Sequence, residues 1–171
     1  MVKLILLALV LGCAFSAAPS TTGFYNAKKT FYLEFTYEFV LSFKSLVQVP
    51  FNTTTVDLGE MNLSVQTLGW HATGPYNCTL NYMYESTNDK FHYKTGECDK
   101  EIAHTYTDMA IKDMSYDSKK DSFTIDFAAK GPTSGSFEFT KSDTSIIDHN
   151  EPKDKAPQEL CPPKSFLAMF D

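Results

Sequence analysis

The chain has 171 residues, 43% of them hydrophobic and 14% aromatic, enough for one domain with a sizeable core. Its formal charge is −6, and all 15 of its basic residues are lysine. An acidic chain without the bidentate guanidinium fork is ill suited to grip nucleic acid, heparin or an anionic membrane, so these partners are set aside.

The first residues read as an address rather than as structure. Met1-Val2-Lys3 is a short positive start, Leu4 to Leu11 is nearly pure apolar, and Ala14-Phe15-Ser16-Ala17-Ala18 offers small residues for cleavage. That is the layout of a secretory signal peptide over residues 1–18. A membrane anchor would need about 20 apolar residues, more than this run supplies. A lipoprotein signal ending at Cys13 is the other rival, since Val10-Leu11-Gly12-Cys13 loosely fits such a box. No later stretch is long and apolar enough to span a bilayer, so no transmembrane segment is expected. The mature product is expected outside the cell or in the lumen of the secretory or endolysosomal pathway. Loss of Lys3 with the leader takes the charge from −6 to −7 (−6 minus one positive). It also leaves Cys78, Cys98 and Cys161. An odd number allows one intrachain bridge and leaves one thiol over, which in an oxidising compartment could join two copies through Cys161. His92, Cys98 and His104 lack any familiar zinc spacing, so neither metal nor cofactor is expected.

Taken in order, Ala17 to Lys29 is polar and reads as a mobile lead-in. From Phe31 to Phe43 the apolar residues Phe31, Leu33, Phe35, Tyr37, Phe39, Leu41 and Phe43 fall at every second position, with Tyr32, Glu34, Thr36, Glu38, Val40 and Ser42 between them. A period of two means a strand with one face on a core. At about 3.3 Å per residue the run spans roughly 43 Å, so a long bent strand or two strands joined at a bulge is expected. Glu34 and Glu38, roughly 13 Å apart on one face, are too distant for a glycosidase pair and read as a solvated face. Leu46-Val47-Gln48-Val49 alternates again and stops at Pro50.

Three acceptor sites for N-glycans follow: Asn52-Thr53-Thr54, Asn62-Leu63-Ser64 and Asn77-Cys78-Thr79. Chance would supply roughly one, so glycosylation is expected, with Asn77 the weakest acceptor because of its neighbouring cysteine. Leu63, Val65 and Thr67 share a strand face, and Gly74-Pro75 reads as a break. Tyr76, Cys78, Leu80, Tyr82 and Tyr84 then start a hairpin that turns at Asn88-Asp89. Folding the chain about Asn88 sets Cys78 opposite Cys98 and predicts a disulfide across the hairpin's open end. The same register sets Tyr82 against Lys94 and leaves Phe91 and Tyr93 on the other face, so either both faces are covered or a bulge shifts the pairing. Asp99 to His104 could form one helical turn. Beyond it, Tyr116 meets Phe123, Met114 meets Ile125 and Ala110 meets Ala129, with Lys112 opposite Phe127 as the one mismatch. A further turn through Gly131 to Gly135 sets Phe137 against Ala129 and Phe139 against Phe127, completing a meander. Residues 148–171 are a polar, Pro-rich tail with Cys161-Pro162-Pro163 able to pin it to the body.

Residues 19–147 are thus expected to form one all-β domain, an antiparallel β-sandwich or barrel of about eight strands, with the Pro-rich C-terminal tail on or near it. The stretch from Cys78-Thr79-Leu80-Asn81-Tyr82 to Gly96-Glu97-Cys98, followed by a meander, resembles the luminal domain of lysosome-associated membrane glycoproteins. That resemblance covers under half of the chain and does not extend to the family's second disulfide pair or membrane anchor, so no activity or site is carried over from it. The Gly-x-Trp that opens a lipocalin has no counterpart, since the single Trp70 follows Gly69 directly.

No Gly-x-Ser-x-Gly elbow, phosphate loop or calcium loop is present, although a triad assembled from distant residues would leave no trace in sequence. The function expected is that of a secreted, N-glycosylated recognition module whose sheet face opposite the glycans meets a protein or carbohydrate partner. Tyr32, Tyr76, Tyr82, Tyr84 and Tyr93 are the candidate binding face, because tyrosine suits an interface as well as a core. The alternative is an extracellular carrier holding a small hydrophobic ligand in an apolar cavity. A secreted hydrolase ranks below both.

Overall fold

Among the described residues, the alternation that runs through the sequence resolves into eight antiparallel strands and one short helix. The computed structural model describes residues 18–31, 35–51, 54–69, 72–105, 109–128 and 134–147. The elements are β1 (Phe24–Phe31), β2 (Phe35–Phe51), β3 (Thr54–Gly69), β4 (Thr73–Glu85), β5 (Lys90–Lys94), α1 (Cys98–Thr105), β6 (Ala110–Asp117), β7 (Ser122–Ala128) and β8 (Gly135–Ser142). They form one sheet in the order β5-β4-β3-β2-β1-β8-β7-β6. The sheet curls into a nearly closed barrel, with β5 and β6 meeting at its seam, so of the two expected architectures the barrel is the one formed. Antiparallel neighbours joined by short turns need no crossover, and closure removes most of the exposed edge.

Inward residues fill the barrel with rings that touch from wall to wall. Phe39 on β2 meets Phe127 on β7 and Phe137 on β8 at centroid distances of 5.1 and 4.8 Å. Tyr25 on β1 and Phe91 on β5 both stand edge-on to Phe123 of β7, at 4.9 and 5.1 Å. Edge-to-face packing of this kind contributes beyond the area it buries. Of the fourteen Phe in the chain, nine lie in this core or pack against it.

The early ribbon differs from the expectation in two ways. Phe24–Phe31 is a strand rather than the tail end of a mobile lead-in, and it pairs with β2 from Phe24↔Ser42 to Phe31↔Phe35. The alternating run thus contains a hairpin, with Phe31 on one side and Phe35 on the other. Periodicity alone cannot reveal that reversal, because both arms keep the same inward set. The bulge expected in this region lies between Phe43 and Ser45. It flips the pleat, so that Val47, Val49 and Phe51 turn outward toward Val56, Leu58 and Met83, a second apolar cluster on the outer wall. The strand continues through Pro50 to Phe51 instead of stopping. Gly59 is required beside this bulge. A Cβ there would lie 2.1 Å from the Ser45 carbonyl oxygen and 2.8 Å from the Tyr82 ring.

Gly74-Pro75 does not break the chain but lies inside β4, where pairing with β3 is irregular between Val65 and Thr67. Proline is tolerated near a strand's start, where fewer ladder bonds need its missing N–H.

Two registers also differ. The β4–β5 hairpin pairs Tyr82 with Tyr93 and Tyr84 with Phe91, one residue away from the expected symmetry, because four residues, 86–89, make the turn. That shift places all four rings on the inner face and removes the conflict. The β7–β8 pair joins Phe123 to Phe139 and Ile125 to Phe137, four residues from the expected pairing, a slip that keeps every ring inside. In the β6–β7 pair, Tyr116↔Phe123 and Met114↔Ile125 are as expected. A bulge between Ile111 and Asp113 expels Lys112 and brings Ile111 opposite Phe127.

Candidate functional site

The β-barrel leaves one seam without a continuous ladder, and the sequence builds a cleft there. β5 ends at Lys94, and the Thr95-Gly96 turn leads into α1, with Gly96 in the left-handed region at φ 56°. Cys98 and Ile102, one helical turn apart, both face the core. The Asp99 carboxylate between them accepts the backbone N–H of Ile111 at 2.9 Å and ties α1 to β6. Tyr93, Lys94, Thr95, Gly96, Asp99 and Ile111 line the resulting open cleft of about 380 Å³.

Tyr93 bridges the seam. Its ring packs on the core, and its hydroxyl hydrogen-bonds the backbone at Met114 on β6. Burial, then the charges of Asp113 and Asp99, hold its pKa above the ordinary 10.0, with the Met114 bond opposing them. A phenol in that state keeps its proton and acts as a hydrogen-bond partner, not as a base. With Lys94 and Asp99 also on its lining, the cleft sets an amphipathic ring among residues of both charges, a composition suited to polar recognition.

The expected binding tyrosines scatter. Tyr82 and Tyr84 point into the barrel with 1% and 0% of their surface accessible, so they belong to the core and cannot meet a partner. They alternate with Cys78 and Leu80 on the face of β4 that looks into the core, which is the reason. Tyr76 is 46% exposed near the start of β4, Tyr93 lines the cleft, and Tyr32 lies outside the described residues. The face of the sheet opposite Asn62 and Asn77 is the barrel interior, so the binding face expected there is not available.

The disulfide forms as expected, Cys78 to Cys98 with Cα atoms 5.0 Å apart. It joins β4 to the first turn of α1 rather than closing a ladder across a hairpin. Glu38 is not solvated. It is 5% exposed on the outer wall, accepting from Lys28 Nζ at 2.8 Å and from Gln66 Nε2 at 2.6 Å. Glu34, Asn52 and Cys161 lie outside the described residues, as do residues 1–17 and the tail 148–171.

A second polar cluster, which sequence reasoning missed, sits where the β4–β5 and β6–β7 turns meet. Asp89 and Asp121, the two turn residues with positive φ at 51° and 48°, each receive a tyrosine hydroxyl. Tyr84 donates to Asp89 at 2.9 Å, while Tyr25 and Tyr116 both donate to one Asp121 oxygen at 2.5 and 2.9 Å. Lys141 lies 3.1 Å from the other Asp121 oxygen, and Ser118 donates to Asp89 at 2.8 Å across the two turns. Every hydroxyl here is spent on holding the turns together. The aspartates could have been singled out from sequence only as turn formers.

His92 approaches Glu85 at 3.3 Å on the outer wall, away from the cleft. Among the described residues no group of three or more His, Cys, Asp or Glu is placed to hold a metal ion, and no helix is long and apolar enough to cross a membrane. The fold and cleft define a class, an antiparallel β-barrel with a polar cleft at its seam. No protein-family model, curated protein or solved structure matches the chain.

Proposed function

We propose that this chain is a secreted, N-glycosylated recognition module that holds a protein or carbohydrate partner in the cleft between β5 and β6. The observation that carries this reading is the cleft itself, where Tyr93, Lys94 and Asp99 converge on an open space of about 380 Å³. That volume falls within the range of small-ligand sites, at the low end. The ring contacts that cross the barrel from β2 to β7 and from β5 to β7 favour this reading over a carrier of small hydrophobes, which would need that space. An aromatic ring beside polar residues suits a sugar edge or a polar loop of a protein.

The test is capture of partners from the native secretion, and in parallel from a glycan array, with the exported protein and its Tyr93→Ala variant. Binding should fall by about tenfold or more in the variant, as for an anchor residue at the centre of an interface. A Lys119→Ala control in the β6–β7 turn should bind normally. A partner held equally well by Tyr93→Ala would move the site away from the cleft, and no partner at any salt concentration would defeat the reading.

A further inference from the structure

Two of the three acceptor sites are one site in space. β3 and β4 pair Asn62 with Thr79, Leu63 with Cys78 and Ser64 with Asn77, so the tripeptides Asn62-Leu63-Ser64 and Asn77-Cys78-Thr79 lie antiparallel and in full register. Each asparagine faces the hydroxyl residue of the other tripeptide. Ser64 Oγ donates to Asn77 Oδ1 at 2.5 Å, and Thr79 Oγ1 donates to Asn62 Oδ1 at 3.1 Å. Asn62 and Asn77 are then diagonal neighbours on one outward face, with roots about 7–8 Å apart. Two branched glycans rooted that closely would compete for the same space.

The two positions are not equivalent. Asn62 is flanked on both sides, by Ser42 of β2 and by Thr79 of β4, and it is only partly exposed. Lys44 adds its ammonium to Thr79 Oγ1 at 3.0 Å, crowding the same spot. Asn77 is exposed and has a strand on one side only, because β5 pairs with β4 no further than Asn81↔Lys94. With Oδ1 held by Ser64, its amide nitrogen, the atom a glycan is joined to, is free to point away from the wall.

We propose that the pair carries a single N-glycan, on Asn77, and that Ser64 serves as the seat for that asparagine rather than as part of a used acceptor. This reverses the ranking by sequence, in which the neighbouring cysteine made Asn77 the weakest of the three. The inference rests on the secreted reading above, because the transferase works only in the secretory lumen. The choice falls as the strands pair, when β2 and β4 wall in Asn62 from both sides while Asn77 keeps an open side.

The full chain is expressed in a eukaryotic secretory cell, and site occupancy is read by glycopeptide mass spectrometry. Three variants accompany it: Asn62→Gln, which removes the Asn62 acceptor and leaves Ser64 in place, Thr79→Ala, which removes the Asn77 acceptor, and Thr79→Ser, which preserves it. Occupancy at Asn77 should exceed that at Asn62 at least fivefold. Thr79→Ala should lose one glycan, while Asn62→Gln and Thr79→Ser should lose none. Loss of a glycan in Asn62→Gln, or none in Thr79→Ala, would overturn the proposal, as would full occupancy of both asparagines. A second culture with an added secretion leader separates the two ideas. Failure of export from the chain's own N terminus alone counts against the secreted reading, and the occupancy in the second culture still decides which asparagine is used.

Discussion

Asp121 shows how much one side chain can coordinate. Burial alone would raise its pKa, but the hydroxyls of Tyr25 and Tyr116 and the ammonium of Lys141 outweigh it and hold the carboxyl below the ordinary 3.8. The two phenols move the other way. Burial, then the bond to Asp121, pushes both Tyr25 and Tyr116 far above 10.0. The signs fix the stability profile. An unfolded chain takes up a proton at Asp121 first as pH falls through 3.8, so stability drops on the acid side of that value. An unfolded chain releases its tyrosine protons first as pH rises through 10.0, so stability is complete below that pH and falls above it. Tyr116→Phe should lower stability at neutral pH by about 1.5–3 kcal/mol, the range for a hydrogen bond to a charged group. It should also flatten the alkaline decline. Thermal melts from pH 3 to about 11 check both effects, and an unchanged alkaline slope would mean the hydroxyl is not held by Asp121.

At the scale of elements, α1 is joined to the barrel wall by two links, the disulfide to Cys78 and the Asp99 bond to Ile111. The disulfide spans 20 residues, and on the chain-entropy model such a loop contributes about 3 kcal/mol. Cys78→Ser with Cys98→Ser should therefore lower the denaturation midpoint by that equivalent. Because the link supports the cleft, hydrogen exchange at Thr95, Gly96 and Asp99 should also speed up while the β7–β8 amides stay protected. The cysteine pairing was legible from sequence, and so were the strands at β6 and β7, where alternation and turn residues agree. The hairpin register was not, because a turn of three residues centred on Asn88 and a turn of four from Ser86 to Asp89 both fit the same letters. The bulges at Lys44 and Lys112 were legible only as anomalies, one as excess length and the other as a lysine opposite Phe127. The buried Glu38 was illegible, because its neutralising Lys28 and its hydrogen-bonding Gln66 come from β1 and β3 and β1 itself read as a lead-in.

For the whole molecule, closure of the sheet decides what can be a binding surface. A sandwich would have offered two outer faces, one for glycans and one for a partner. A barrel has a single wall and an interior, and here the interior is occupied by Tyr25, Phe39, Tyr82, Phe123 and Phe139, all essentially inaccessible. The proposed function is then arranged along the wall, with Asn62 and Asn77 on β3 and β4 and the cleft at the β5–β6 seam. That is why the alternation which first suggested a greasy cavity ends by arguing for surface recognition. Native mass spectrometry of the exported protein tests this most directly, at gentle activation and after incubation with a fatty acid and a retinoid as apolar probes. The account predicts the mass of the chain and its glycans alone, with no probe retained. A stoichiometric apolar adduct that survives desolvation would show room inside the barrel and contradict it.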